Sequence, residues 1–443
     1  MKKLFVIIFA LGILILTGCK KSSSDEPASP SKSSYKIAVL SDIHYMDSSL
    51  LVHDGAAFQE YLKTDRKLLA ESDAIMKESI AELLIAKPDL VLISGDLTKD
   101  GELISHQTLS GLLSQLINAG IKVRVTVGNH DVNNPFSYKY DGANQSKVPN
   151  VSPENIKTIY NNCGYGDALN SDPASLSYVS EPLPGLWLIT IDACEYYNNN
   201  DSTDVTAGKI KPETMTWVLA RLADARQQGK TVIGMMHHGI LEHFTGQSTM
   251  FPEYVVNNWA AESDQLMNAG LKIMFTGHFH ANDIVKKTAG SNFLFDIETG
   301  STVTYPCPYR LITYIKDSSL VISTSHITTI NYSGLNGLSF PVYGKNALQA
   351  GLDTISKLTL MAPPYNAPAP IAIAVAPRMR NAMMAHYAGD ESLSAEENAL
   401  IQATIAQAGA LGPMLNLYLM SLWNDLPPKD NSLSINLRTG NSN

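Results

Sequence analysis

The 443-residue sequence holds four cysteines and no CxxC pair, which excludes a disulfide-built scaffold, a thiolate zinc finger and a dithiol redox motif. Positive charge is also scarce, with 33 Lys and Arg against 42 Asp and Glu, a net charge of -9. No basic field can hold nucleic acid by its phosphates, so no nucleic-acid-binding surface is expected. A phosphate-bearing ligand would need a metal or a local cationic pocket. The apolar run Leu4 to Leu16 falls short of the ~20 residues that span a bilayer. With 44% apolar and 17% charged residues, the chain can bury a large core, and disorder is excluded as a whole-chain description.

What is present at the start is an address. Lys2 and Lys3 precede the apolar run, which ends in Leu16-Thr17-Gly18-Cys19, and the pattern reads as a lipoprotein signal peptide over residues 1–18. The segment resembles a bacterial lipobox, in which cleavage leaves Cys19 for acylation. Residues 19–34, rich in Ser, Pro and Lys, are too polar to pack and suit a flexible tether. Removing residues 1–18 takes away two lysines and no acids, leaving a net charge of -11. The expectation is an acidic extracytoplasmic body in the bacterial cell envelope, held at the membrane through lipidated Cys19. Cys163, Cys194 and Cys307 remain, enough for at most one internal disulfide.

From Tyr35 short Val/Ile/Leu runs alternate with helical stretches. Strands are expected at Lys36 to Leu40, Leu90 to Ser94 and Lys122 to Val127, with helices at Leu69 to Ala86 and Leu103 to Ala119. A second set follows, with strands at Leu186 to Ile191, Thr231 to Met236 and Leu271 to Phe275, and helices at Pro212 to Gln227 and Glu262 to Ala269. Shorter strands are expected between Ile284 and Thr324. Past Ser333 the periodicity becomes helical, so residues 35–332 read as a catalytic domain and 333–443 as a mainly helical C-terminal region. That region lacks clusters of metal-ligand types and reads as structural cover or an oligomer contact.

The chemistry sits where the strands stop. Their ends carry Asp42-Ile43-His44, Gly95-Asp96, Gly128-Asn129-His130-Asp131, His237-His238 and Gly277-His278-Phe279-His280, which take in six of the eleven histidines. C-terminal ends of parallel strands meet at one edge of a sheet, so these groups converge. Carboxylate, amide and imidazole donors without thiolate suit divalent Mn, Fe or Zn. Asp42, His44, Asp96 and His280 can hold one ion, and Asp96, Asn129, His237 and His278 a second, Asp96 lying between them. The glycines allow sharp turns at a crowded centre.

DxH, GD, GNHD, a strand-end His and GHxH in this order resemble the calcineurin-like metallophosphoesterase family, and they span Asp42 to His280. The resemblance implies a four-layer α/β/β/α sandwich, here with a helical C-terminal extension. It also implies two divalent metal ions on the seven residues just assigned, and phosphoester hydrolysis. Gly95 to Gly101 resembles the variant seen in cyclic-nucleotide and related phosphodiesterases. Purple acid phosphatases place a tyrosine where this chain has Lys99, so a tyrosinate-bound ferric ion is not expected. His238-Gly239 stands where relatives often show His-Pro. The family register favours His237 as the ligand and leaves His238 as the alternative.

Water bound to two cations loses a proton near neutral pH and supplies a hydroxide nucleophile. His130, next to a ligand but outside the set, is expected to protonate the leaving oxygen, with Asp131 orienting it. The expected function is a phosphodiesterase or phosphomonoesterase acting on a small extracytoplasmic substrate. The competing reading is a non-catalytic surface lipoprotein that keeps the fold as a binding module, against which stands the complete ligand set. His106 reads as packing, and Met235 and Met236 as core. Asp192 reads as a loop cap or a functional carboxylate. Tyr45, His243 and Tyr196 to Asn200 read as mostly solvated loops bordering the crevice. His53, His326 and His386 have no partner cluster.

Overall fold

A computed structural model describes residues 32–363 and 365–443. The expected signal peptide, Cys19, most of the tether and Pro364 lie outside the described residues. Two sheets form the centre. The first has six strands in the order Ser432–Asn436, Ser319–His326, Pro308–Ile315, Ser34–Leu40, Leu90–Ile93 and Lys122–Val125. The second has seven, running from Ile284–Ala289 through Asn292–Glu298, Ile273–Thr276, Thr231–Met236, Leu186–Ile191 and Tyr178–Leu183 to Asn170–Ser171.

Alternation along the strands builds the layers. Ile37 and Val39 face Leu188, Ile233, Met235 and Phe275 across the gap between the sheets. Ala38 and Leu40 point the other way, onto helices Ser72–Ala86 and Leu103–Asn118 through Ile75, Ile80, Leu109 and Leu113. On the far side, Ile189, Ile191 and Met274 pack against helices Pro212–Gln227 and Trp259–Asn268. The result is a mixed α/β sandwich of four layers with helices outside.

Ser34–Leu40, Leu90–Ile93 and Lys122–Val125 are mutually parallel, as are Leu186–Ile191, Thr231–Met236 and Ile273–Thr276 in the second sheet. Their C-terminal ends therefore open on one crevice.

Helices Phe340–Met361, Ala369–Ala388, Ala395–Gln407 and Gly412–Leu422 follow. They pack on Phe244, Phe279 and Ala281 of the sandwich. The chain then returns to the first sheet, where Ser432–Asn436 pairs with Ser319–His326. A small three-stranded sheet, Leu51–His53, Tyr138–Asp141 and Asn144–Lys147, lies apart. The three described cysteines are free and buried. No described helix is long and apolar enough to cross a membrane.

Candidate metal centre

The strand-end residues are held by unusual backbone. Asp42, His44, Asp96, His278 and His280 all have φ between 41° and 79°, a region that costs a non-glycine residue about 1–3 kcal/mol. Five such residues at one crevice mark a site that the surrounding structure over-determines. The glycines let the strands approach. A Cβ on Gly95 would come within 2.5 Å of the His237 ring, and one on Gly128 would overlap the Asp96 carboxylate.

Asp42, His44 and His280 form one buried group. The Nε2 atoms of His44 and His280 lie 3.2 Å apart, and Asp42 Oδ1 lies 3.8 Å and 3.5 Å from them. Burial, helped by the Lys67 charge, pulls both imidazoles well below their usual range. They face each other as neutral rings. Asp42 Oδ1 is buried and has no hydrogen-bond partner. Bonds of about 2.0–2.2 Å to a common ion put ligand atoms roughly 3 to 3.5 Å apart, so this spacing fits a cation.

Asp96, His237 and His278 form the second group. His237 Nδ1 donates to the Ser94 carbonyl at 2.9 Å, which turns Nε2 toward Asp96 Oδ2 at 3.3 Å and Asn129 Oδ1 at 3.2 Å. His278 Nε2 donates to the Glu253 carbonyl at 3.1 Å and leaves Nδ1 for the crevice. Such outer hydrogen bonds select the ring nitrogen that ligates. Burial opposes charge on His237, but Asp96 outweighs it and pushes the metal-free imidazole up to about 9. His238 is turned away, with Nε2 on the Thr206 carbonyl at 2.9 Å.

His130 is one-fifth exposed, and its Nδ1 is 2.9 Å from Asp100 Oδ1. Asp131, expected to orient it, does something else. Its two carboxylate oxygens accept from the backbone N–H groups of Leu97, Thr98 and Gly128 and from the Thr98 hydroxyl. Consecutive residues of a tight turn point apart, so Asp131 clamps the two loops that carry Asp96 and Asn129, and Asp100 orients His130. Burial would raise the Asp100 pKa, but Lys99 and His130 bring it down to about 2. Lys99 is fully buried, paired with Asp100 and with Glu102 at 3.4 Å.

A cavity of about 510 Å³ covers the centre and is lined by Asn129, His130, His278, His280, Arg66 and Lys67 among others. Arg66 and Lys67 carry no motif. The available signal is a basic pair in an acidic chain whose ligand needs a cationic pocket.

Elsewhere the outer expectations divide. His106 packs, its Nδ1 2.9 Å from the Tyr160 hydroxyl. Met235 and Met236 are buried, and Asp192 caps the backbone of Leu176 and Cys194. Tyr45, Tyr196 and His243 are buried rather than solvated. His386 does have partners. Its Nδ1 is hydrogen-bonded to Glu391 and lies 3.6 Å from Asp283 Oδ2, while His243 Nδ1 is 3.0 Å from Asp283 Oδ1 and Nε2 is 3.3 Å from Asp296 Oδ2. The helical region thus contributes His386 and Glu391 to a second buried group, which only the returning chain brings together.

A family model described as calcineurin-like phosphoesterase matches residues 35–282, more than half of the chain. No curated protein matches it. Among solved structures, the chain is similar to a dimetal phosphatase from Danio rerio at 15% identity and TM-score 0.47, over 66% of this chain and 96% of that one. It is also similar to GAP50, the anchor in the inner membrane complex of Plasmodium, at 12% identity and TM-score 0.36, over 72% and 94%. A third is TT1561 of Thermus thermophilus, at 9% identity and TM-score 0.34, over 66% and 98%.

Proposed function

The chain belongs to the calcineurin-like phosphoesterase family and is a metal-dependent phosphoester hydrolase, and from that premise we propose that its centre holds two divalent ions. Asp42, His44, Asp96 and His280 would hold one, and Asp96, Asn129, His237 and His278 the other. The observation that carries this reading is the place of Asp96 Oδ2, 3.5 Å from His44 Nε2 and 3.3 Å from His237 Nε2, on the seam between the two groups. Oxygen and imidazole donors without thiolate suit Mn, Fe or Zn.

When bound, such ions polarise phosphoryl oxygens and acidify water. The chain's own residues do the rest. Arg66 and Lys67 offset the substrate's negative charge from the cavity wall. His130, fixed by Asp100 through Nδ1, keeps Nε2 free to hand a proton to the leaving oxygen. Asp131 keeps the Asp96 and Asn129 loops in register.

The substrate is an extracytoplasmic phosphomonoester or phosphodiester, reached by a protein anchored through acylated Cys19. The lipobox-like segment alone supports the location, and mass spectrometry of the mature N-terminus tests it. Unmodified Cys19 would end that part of the reading.

The catalytic part is tested by metal analysis together with hydrolysis of p-nitrophenyl phosphate and bis(p-nitrophenyl) phosphate with added Mn, Fe or Zn. Two ions per chain and chelator-sensitive turnover are expected. Two bound ions with no turnover of any ester would instead favour a binding module.

A further inference from the structure

Beside the crevice lies a second cavity, of about 630 Å³, between the sandwich and the helical region. Its walls include Phe251, Phe279, Met379, Met383, Tyr387 and Tyr418. It shares two residues, Arg66 and Tyr254, with the cavity over the metal centre. The two spaces are one side chain apart. His278 and His280 face the crevice while Phe279 between them faces the apolar space, its ring 5.2 Å from Phe251 and 4.8 Å from Tyr254. The Tyr254 ring in turn lies 4.6 Å from the His278 ring, tilted by 38°.

We infer that this cavity receives the apolar chain of a lipid phosphoester whose phosphate lies at the metal centre. The inference rests on the hydrolase reading above and names its substrate class. Three observations favour a flexible hydrocarbon chain. Four methionines line the space, Met250, Met379, Met383 and Met414, and methionine adapts to chains of varied shape. The wall stays apolar to the outside, since Met414 is 38% and Leu417 59% exposed. Arg66, on the shared wall, has its guanidinium 5.7 Å over the Tyr387 ring and a buried Nε with no hydrogen-bond partner. It is a donor stationed where a headgroup would join its chain. A volume of this size also falls in the ordinary range for small-molecule sites.

The test uses full-length protein and a homologous series of butyl, hexyl and octyl phosphates below their micelle concentrations, with p-nitrophenyl phosphate and nucleotides alongside. Each buried methylene contributes about 0.8 kcal/mol, so kcat/KM should rise about 100-fold or more from butyl to octyl. Leu417→Glu at the exposed rim should lower the octyl-to-butyl ratio at least tenfold. Calorimetry on the metal-free protein gives a readout independent of turnover, in which octyl phosphate should bind measurably tighter than butyl phosphate. A flat chain-length series with p-nitrophenyl phosphate still hydrolysed would overturn the inference and leave the hydrolase standing. A nucleotide preferred over octyl phosphate would overturn it in favour of a base-binding site. Chain-dependent binding in a protein that hydrolyses no ester would support the cavity and remove the hydrolase.

Discussion

Histidines and carboxylates are buried together at two places among the described residues, and the two are wired differently. At the strand ends, burial pulls His44, His278 and His280 well below the usual imidazole range, while Asp96 outweighs burial at His237 and holds it up at about 9. At the seam with the helical region burial acts on His243 and His386 too, but Asp283 and Asp296 beside His243 and Glu391 beside His386 outweigh it, so both are held above that range. At the first place ring lone pairs and an unpartnered carboxylate oxygen meet at a common point. At the second, His243 Nδ1 and His386 Nδ1 already point at carboxylates, while His243 Nε2, His386 Nε2 and Glu391 Oε2 are buried without hydrogen-bond partners. The same residue types thus gather candidate ligands around a common point in one region and imidazole–carboxylate pairs in the other, where Asp283, His386 and Glu391 also lie close enough together to hold a cation.

The strongest way to break this contrast is to remove one carboxylate from each group. Asp96→Ala takes away the oxygen on the seam between both proposed ions. Metal stoichiometry should fall below two, and kcat/KM by about 10³-fold or more, since metal stabilisation of the transition state is worth several kcal/mol. If the variant keeps two ions and normal turnover, the centre is misassigned.

Asp283→Asn should do the reverse. Breaking a buried ion pair costs about 3–5 kcal/mol, to be read from denaturant unfolding. Metal content and turnover per folded molecule should stay near the wild-type level. A large loss of bound metal would show that the seam, too, holds a cation.

The two groups also differ in how far the sequence announces them. The seven candidate ligands are legible because each follows an apolar strand, and parallel strands deliver their C-terminal ends to one edge whatever lies between. The strands Leu186–Ile191 and Thr231–Met236 fall where their runs of apolar residues place them. The seam group has no such rule. Asp283, Asp296, His386 and Glu391 come together only through packing of the helical region, and His386 sits in an apolar helix without any motif. Strand Ser432–Asn436 is illegible for a similar reason, since its pairing lies more than a hundred residues back along the chain. The polar strand Asn144–Lys147 offers no apolar alternation at all, being exposed throughout. Asp131 misleads because its sequence adjacency to His130 does not carry over into spatial adjacency of the side chains.

Within the first group, Asp100 and Asp131 play separable parts. His130→Ala should keep both ions yet slow turnover by about 10²-fold or more, the scale of a lost general acid. Asp100→Asn should slow it by about 10-fold to 100-fold, as losses of an orienting partner do. Asp131→Asn should instead lower metal affinity, because it loosens the loops that carry Asp96 and Asn129. Equal effects of the Asp100 and Asp131 variants on turnover, with metal retained in both, would undo the reassignment.

The smallest expected effect is a pH dependence of stability at the seam. His386 faces Glu391, Asp283 and Glu298, whose charges raise its folded pKa against burial. A raised imidazole pKa contributes stability that is fully present below the unfolded value near 6.5 and is lost as pH rises through the folded pKa. The difference in Tm between wild type and His386→Gln should therefore be largest near pH 6 and shrink toward pH 9. A gap that stays constant over this range would mean that His386 is neutral in the folded chain. His386 would then be a neutral ring like His44 and His280, and no fixed ion pair would stand at the seam.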